Sequence, residues 1–235
     1  ICRMTWKEEA LEHAKKESPF ESCGLLIVFE GKEKYCPCKN LAEDKTDQFI
    51  IDPEDWIRYE DQGEILAVIH SHPFDSCMPS QADLASCEYL NYPFYIISLY
   101  DNLWHKFEPS GYKAPLLGRT WVWGSQDCAS LVYTWYREKR NIILKDWARP
   151  RSIKYFYKDM DFGDLIEQTG FKKLDKNQPS QVGDVLLFGR HDNEQTHIGL
   201  YIGNQTMLHH EIKKLSCREF YGKNWVELTL NRYRY

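Results

Sequence analysis

Apolar positions fall into two rhythms along this chain. In residues 5–16, Trp6, Ala10, Leu11 and Ala14 recur at helical spacing and predict an amphipathic helix. The period then changes. Residues 24–29 and 34–38 read as two strands joined at Glu30-Gly31-Lys32, a hairpin signal. Asp52-Pro53-Glu54-Asp55 puts an N-cap acid before a first-turn proline, so a helix starts there. Ile65-Leu66-Ala67-Val68-Ile69 is a short apolar run of strand type, closed by Pro73. A further helix opens at Ser80 and carries Ala82, Leu84, Ala85 and Leu90. Strands follow over 94–99 and 103–107, with a turn at Asp101-Asn102. Helices and strands interleave, which predicts an α/β layered domain ending near Glu108.

The best linker is Pro109-Ser110-Gly111-Tyr112-Lys113-Ala114-Pro115, with two prolines and a glycine in seven residues. The remainder is long enough for a second domain. It holds a helix over 127–139 and strand-like pieces over 185–188, 198–202 and 206–210. The expected division is therefore residues 1–108, a linker at 109–117, and residues 118–235.

Composition narrows the class. The chain has 235 residues, 43% hydrophobic and 14% aromatic, enough to bury a sizeable core. A net charge of −5 argues against nucleic acid as the main partner. No apolar run approaches the ~18 residues of a membrane helix, so no transmembrane segment is expected. No signal peptide is expected either, and the sequence opens Ile1-Cys2-Arg3-Met4. The eight cysteines lack the rhythm of a disulfide framework. Most read as small buried hydrophobes in a reducing compartment.

Candidate chemistry lies just past the 65–69 run. His70-Ser71-His72-Pro73 is followed by Ser80 and Asp83. In extended chain, i and i+2 face the same side, so both imidazoles can reach one ion. Asp83, in the first turn of the next helix, reaches back toward them. Two neutral histidines and one aspartate make three zinc ligands with an open fourth place, as catalytic zinc requires. The plainer alternative is a capping box at Ser80-Gln81-Ala82-Asp83 beside two polar residues at a strand end.

These residues resemble the signature of the JAMM (Mov34/MPN/PAD-1) metallopeptidases. That family also carries a glutamate before a Gly-Leu strand, and Glu21-Ser22-Cys23-Gly24-Leu25 fits. The resemblance implies a cytidine-deaminase-like α/β sandwich with Zn2+ on His70, His72 and Asp83. Glu21 would be the general base for the water that the metal activates. Ser80 would hydrogen-bond that water or the oxyanion.

A second constellation lies in the C-terminal half. Cys128 sits at a helix N-terminus, which favours thiolate and predicts a lowered pKa. Ile198, Leu200 and Ile202 make one face of a strand, so His197 points the other way with Gly199 and Tyr201. His197 is the candidate base, and His209 or His210 on the next strand can orient it. By residue type alone, Cys128 is more often a packed core thiol than a nucleophile. Asp127-Cys128, Val182-Gly183-Asp184, His197 through Gly203, and Met207-Leu208-His209 together resemble the NlpC/P60 cysteine peptidases. That resemblance implies a papain-like α+β domain with Cys128 as nucleophile, His197 as base and His209 as the orienting residue. His210 and His191 would be bystanders. Two departures stand out. Ala129 and Ser130 replace the family's Ser-Gly, and Trp121 stands near the place of a family tyrosine.

The pairing of these two domains in one short chain resembles the tail assembly proteins of lambda-like phages. It implies a two-domain α/β enzyme made in the bacterial cytoplasm and carried at the virion tail tip. Other tail tip proteins would be its partners, and peptidoglycan stem peptides the substrate of its cysteine site. The zinc domain would cut a peptide or isopeptide bond. The alternative is an assembly component with one or both sites inactive.

Overall fold

The computed structural model describes residues 4–149, 156, 160–189 and 194–235. The chain divides into two compact units, Ile1–Tyr112 and Lys113–Tyr235. His191 and Cys2 lie outside the described residues.

The first unit opens with helix α1 (Trp6–Glu17), whose Thr5 and Glu8 form a capping box. Strands β1 (Cys23–Phe29) and β2 (Lys32–Cys38) pair antiparallel. Glu30 and Gly31 both have positive φ, at 50° and 76°. That is the two-residue hairpin geometry, so β2 starts two residues earlier than the sequence reading placed it. Helix α2 (Pro53–Glu60) is capped by Asp52. Strand β3 (Glu64–His72), helix α3 (Gln81–Leu90), and strands β4 (Phe94–Ser98) and β5 (Trp104–Phe107) complete the unit. The sheet order is β2-β1-β3-β4-β5. β3 and β4 are parallel, as a helical crossover through α3 allows. Leu25, Ile27, Val68 and Phe94 pack on one face with Trp56 and Leu90. Leu26, Ala67 and Ile69 pack on the other with Ala10 and Trp6. Central strands buried on both faces explain the unbroken apolar runs. Pro37 falls on the edge strand β2, where no ladder bond is lost.

The second unit contains α4 (Cys128–Arg140), α5 (Phe162–Gln168), β6 (Lys172–Lys173), β7 (Val185–Gly189), β8 (Gln195–Gly203) and β9 (Thr206–His209). It ends with β10 (Cys217–Phe220), α6 (Lys223–Leu228) and β11 (Thr229–Arg234). The sheet order is β10-β9-β8-β7-β11-β6, antiparallel throughout. Leu131 and Val132 of α4 and Phe162 of α5 pack with Val185, Leu187, Ile198 and Leu200. Leu186, Phe188 and Met207 point to the other face, with Tyr201, Tyr221 and Trp225.

Candidate functional site

The end of β3 and the start of β1 create the first site. β3 and β1 pair antiparallel with Cys23 opposite His70. Continuing that register brings Glu21 opposite His72. Ser71 Oγ accepts the Ser22 N–H at 2.8 Å and tightens this corner. The strand runs through both histidines rather than stopping before them, so their rings share one face. Asp83 reaches the same point from the first turn of α3.

Four titratable groups meet there, each at most 8% exposed. His70 Nε2 and His72 Nε2 are 3.2 Å apart. His70 Nε2 lies 3.1 Å from Asp83 Oδ1, and His72 Nε2 lies 3.4 Å from Asp83 Oδ2. Nitrogen and oxygen ligands at ordinary zinc distances and tetrahedral angles lie about 3.3 Å apart. The donor set therefore suits a zinc ion. His72 Nδ1 donates to the Ser76 carbonyl at 2.8 Å, which leaves the Nε2 lone pair for a metal. His70 stacks on Phe49, with centroids 4.5 Å apart, and its Nδ1 is buried without a hydrogen-bond partner among the described residues.

Glu21 Oε1 stands 4.0 Å from His72 Nε2. The Asn40 amide donates to the Glu21 carbonyl, and the Glu21 N–H donates to the Lys45 carbonyl, so its backbone is fixed. Burial pushes the Glu21 carboxyl up to about 8, with His72 opposing and Asp83 adding to the rise. Against burial, His70 and His72 hold Asp83 far below the usual carboxylate range. A cleft of about 310 Å³ lies against Glu21, lined by His13, Lys39, Asn40 and Lys45.

Ser80 is the N-cap of α3, and the capping box is real: Asp83 Oδ2 accepts from Ser80 N–H at 2.7 Å and Oγ at 2.8 Å. The plain and the chemical readings of this motif thus describe one carboxylate. Oδ2 takes the cap and also lies beside His72, while Oδ1 faces His70. The hydroxyl proton of Ser80 is directed at Asp83.

In the second unit, Cys128 is the first residue of α4 and 7% exposed. Its N-cap Asp127 accepts from Ser130 N–H at 2.8 Å and pairs with Arg149 at 3.0 Å. Burial, with Asp127 adding to it, pushes the Cys128 thiol up to about 12. This corrects the lowered pKa expected from the helix N-terminus. Burial and the neighbouring carboxylate outweigh the Ile198 and Ala129 N–H groups and Arg149, which act the other way. Ala129 is buried, and Ser130 Oγ donates to the Asp127 carbonyl, so neither supplies a free hydroxyl. Trp121 stacks on Trp123.

His197 stacks on Phe188 across the strand pair. Its Nε2 is 3.2 Å from His209 Nδ1. His209 Nε2 is in turn 2.9 Å from Glu219 Oε2, and Trp225 Nε1–H donates to Glu219 Oε1 at 2.8 Å. His210 lies elsewhere, with Nε2 donating to the Lys214 carbonyl. Burial, then His209, brings His197 down to about 3, so its ring is neutral. Among the described residues no hydrogen bond joins Cys128 to His197; the thiol lies against the Ile198 N–H, one residue along β8. Sequence reasoning missed Glu219 and Arg149. Glu219 had one usable signal, the i, i+2 spacing from Cys217 in Cys217-Arg218-Glu219-Phe220. Arg149 had none.

Comparison with known proteins agrees with this division. Residues 5–107 match the family model of prokaryotic homologs of the JAB domain, and residues 118–234 match that of the NlpC/P60 family. The tail tip assembly protein K of Escherichia phage N15 is 33% identical over 230 residues, 96% of this chain and 92% of that protein. The tail tip assembly protein K of Escherichia phage lambda is 30% identical over 192 residues, 78% of this chain and 88% of that protein. A JAB1/MPN domain protein from Archaeoglobus fulgidus aligns with 46% of this chain and 86% of its own, at 20% identity and a TM-score of 0.30. The chain is a two-domain α/β protein, JAB/MPN-like then NlpC/P60, and it belongs to the tail tip assembly protein K family.

Proposed function

We propose that this chain is a phage tail tip component with two peptide-bond hydrolase sites, a zinc site in its first domain and a thiol site in its second. The observation that carries the reading is the mutual spacing of His70, His72 and Asp83, which suits the ligands of one zinc ion, with Glu21 4.0 Å from His72. His70, His72 and Asp83 would hold zinc. When bound, the metal supplies Lewis acidity, polarising a carbonyl and acidifying water. Glu21 takes the proton of the attacking water and returns it to the leaving nitrogen. Ser80 keeps Asp83 aimed at the histidines.

In the second site, hydrogen bonding sets the tautomers. The Glu219 carboxylate accepts from His209 Nε2–H, so His209 Nδ1 is an acceptor. His197 then donates through Nε2, which leaves its Nδ1 lone pair to take the Cys128 proton. The sulfur bonds to the scissile carbonyl carbon, the C–N bond breaks, and the proton passes from His197 to the leaving amine. Water then releases the acyl group. The substrate proposed here is the stem peptide of peptidoglycan, and the first domain would act on a peptide or isopeptide bond of another tail protein.

One observation favours a second reading for the thiol site. Cys128 is buried, neutral and not hydrogen-bonded to His197, beside the altered Ala129 and Ser130. An assembly role with a silent thiol is the alternative. Incubation of purified sacculi with wild type, Cys128→Ala and His72→Ala separates the two. Peptide release that is lost only in Cys128→Ala supports the lytic reading. Equal release in all three leaves the assembly role.

A further inference from the structure

We propose that His209, Cys217 and Glu219 form a second, thiolate-containing zinc site in the C-terminal domain. Three donors of different type converge on one point. Cys217 lies directly opposite His209 across the β10–β9 pair, and Glu219 is two residues along the same strand, hence on the same face. His209 Nε2, Cys217 Sγ and a Glu219 carboxylate oxygen all lie within 4.8 Å of one another. His209 Nε2 is 3.5 Å from Cys217 Sγ and 2.9 Å from Glu219 Oε2. At ordinary zinc bond lengths, tetrahedral nitrogen and sulfur ligands are about 3.5 Å apart, and nitrogen and oxygen about 3.3 Å apart. The first distance fits directly. The second needs a few tenths of an ångström, which the half-exposed Glu219 side chain can give.

The surroundings resemble those of metal ligands rather than of a chance cluster. A ligating histidine has its other ring nitrogen held, and a ligating carboxylate is itself hydrogen-bonded. Here His209 Nδ1 faces His197 Nε2, and the Trp225 N–H holds Glu219. A single N–H on His209 Nε2 faces both Glu219 and Cys217, and it can serve only one of them well; an ion would engage all three. Cys217 is the exposed cysteine among those described, so an ion and its water have access. Imidazole, thiolate and carboxylate together suit zinc. The Cys217 thiol releases its proton to solvent on binding.

The site shares a nitrogen with the hydrogen-bond chain described above. A metal on His209 Nε2 moves that ring's proton to Nδ1, which then donates to His197 Nε2. The His197 proton moves to its Nδ1, and the lone pair that would receive the Cys128 proton is gone. The metal-loaded state is therefore the silent state of the thiol site.

Cobalt substitution of the full chain tests the site without any activity measurement. The His70–His72–Asp83 centre has no sulfur ligand, so a thiolate-to-cobalt charge-transfer band that depends on Cys217 reports the second site. Wild type and His72→Ala should both show the near-ultraviolet band on titration with Co2+, and added Zn2+ should displace it. Cys217→Ser, at an exposed position that folding tolerates, should lack the band, and Glu219→Gln should weaken binding about tenfold or more. Absence of the band in folded wild type at excess Co2+ overturns the proposal. So does its persistence in Cys217→Ser.

Discussion

Glu21 is the residue on which the proposed zinc-site chemistry turns. It faces the metal position without being one of the three ligands, so Glu21→Gln should leave metal content unchanged. Hydrolysis by the first domain should fall by about 10²–10⁴-fold, the usual contribution of a general base. Parallel metal analysis and peptide turnover would check this, and equal activity would remove Glu21 from the mechanism. At this scale the sequence was most legible where chemistry is compressed into a few neighbouring residues. His70, His72, Ser80 and Asp83 lie within fourteen positions and keep a fixed spacing. Glu219 and Arg149 were not legible, because each acts through a partner far away in the chain: His209 for one, Asp127 for the other. The Cys128 pKa was misread for a related reason. A helix N-terminus is visible in sequence, but the burial and the N-cap carboxylate that outweigh it belong to the fold.

At the scale of elements, a helix cap and a proposed metal ligand share one carboxylate, Asp83. Ser80→Ala removes the N-cap of α3 and one hydrogen bond to Asp83. The expected cost is about 1 kcal/mol of stability, together with weaker zinc binding, while Ser80→Thr should restore both. Thermal melts with and without a chelator would show it, and zinc affinity unchanged by Ser80→Ala would separate the cap from the metal. The β9–β10 pair yields a second prediction. In a His72→Ala background, Zn2+ should inhibit sacculus peptide release, and an added Cys217→Ser should relieve that inhibition. Inhibition that persists would uncouple the metal from His209. Strand and helix placement was readable wherever apolar periodicity was strong, as in β1, β3 and α4. β10 escaped notice because all four of its residues are exposed and it has no buried face to give it a rhythm. β3 ran on past its apolar run because the antiparallel partner β1 and the parallel partner β4 continue to pair through His70.

Across the whole molecule, buried histidines set an acid limit on stability. Burial brings His197 down to about 3 and His210 down to about 4. Both rings stay neutral in the folded chain while the unfolded chain takes up protons below roughly pH 6.5. The unfolded state then binds more protons at these two positions, so their contribution to stability is full above that pH and is lost as pH falls. For His197 alone the loss should reach about 1.4 kcal/mol one unit below the unfolded value. Denaturant unfolding of chelator-treated protein across this range, compared with His197→Gln, would read it as a shallower slope in the variant; equal slopes would contradict it. The division into two units was legible from the proline-rich stretch at 109–115, and the structure breaks the chain between Tyr112 and Lys113. The central claim is that the first domain is built around zinc. Metal analysis of folded Cys217→Ser protein, which lacks the second site, tests it most directly. One zinc per chain is expected, lost when His72→Ala is added. Folded protein that binds no zinc, or a zinc that survives His72→Ala, would contradict it.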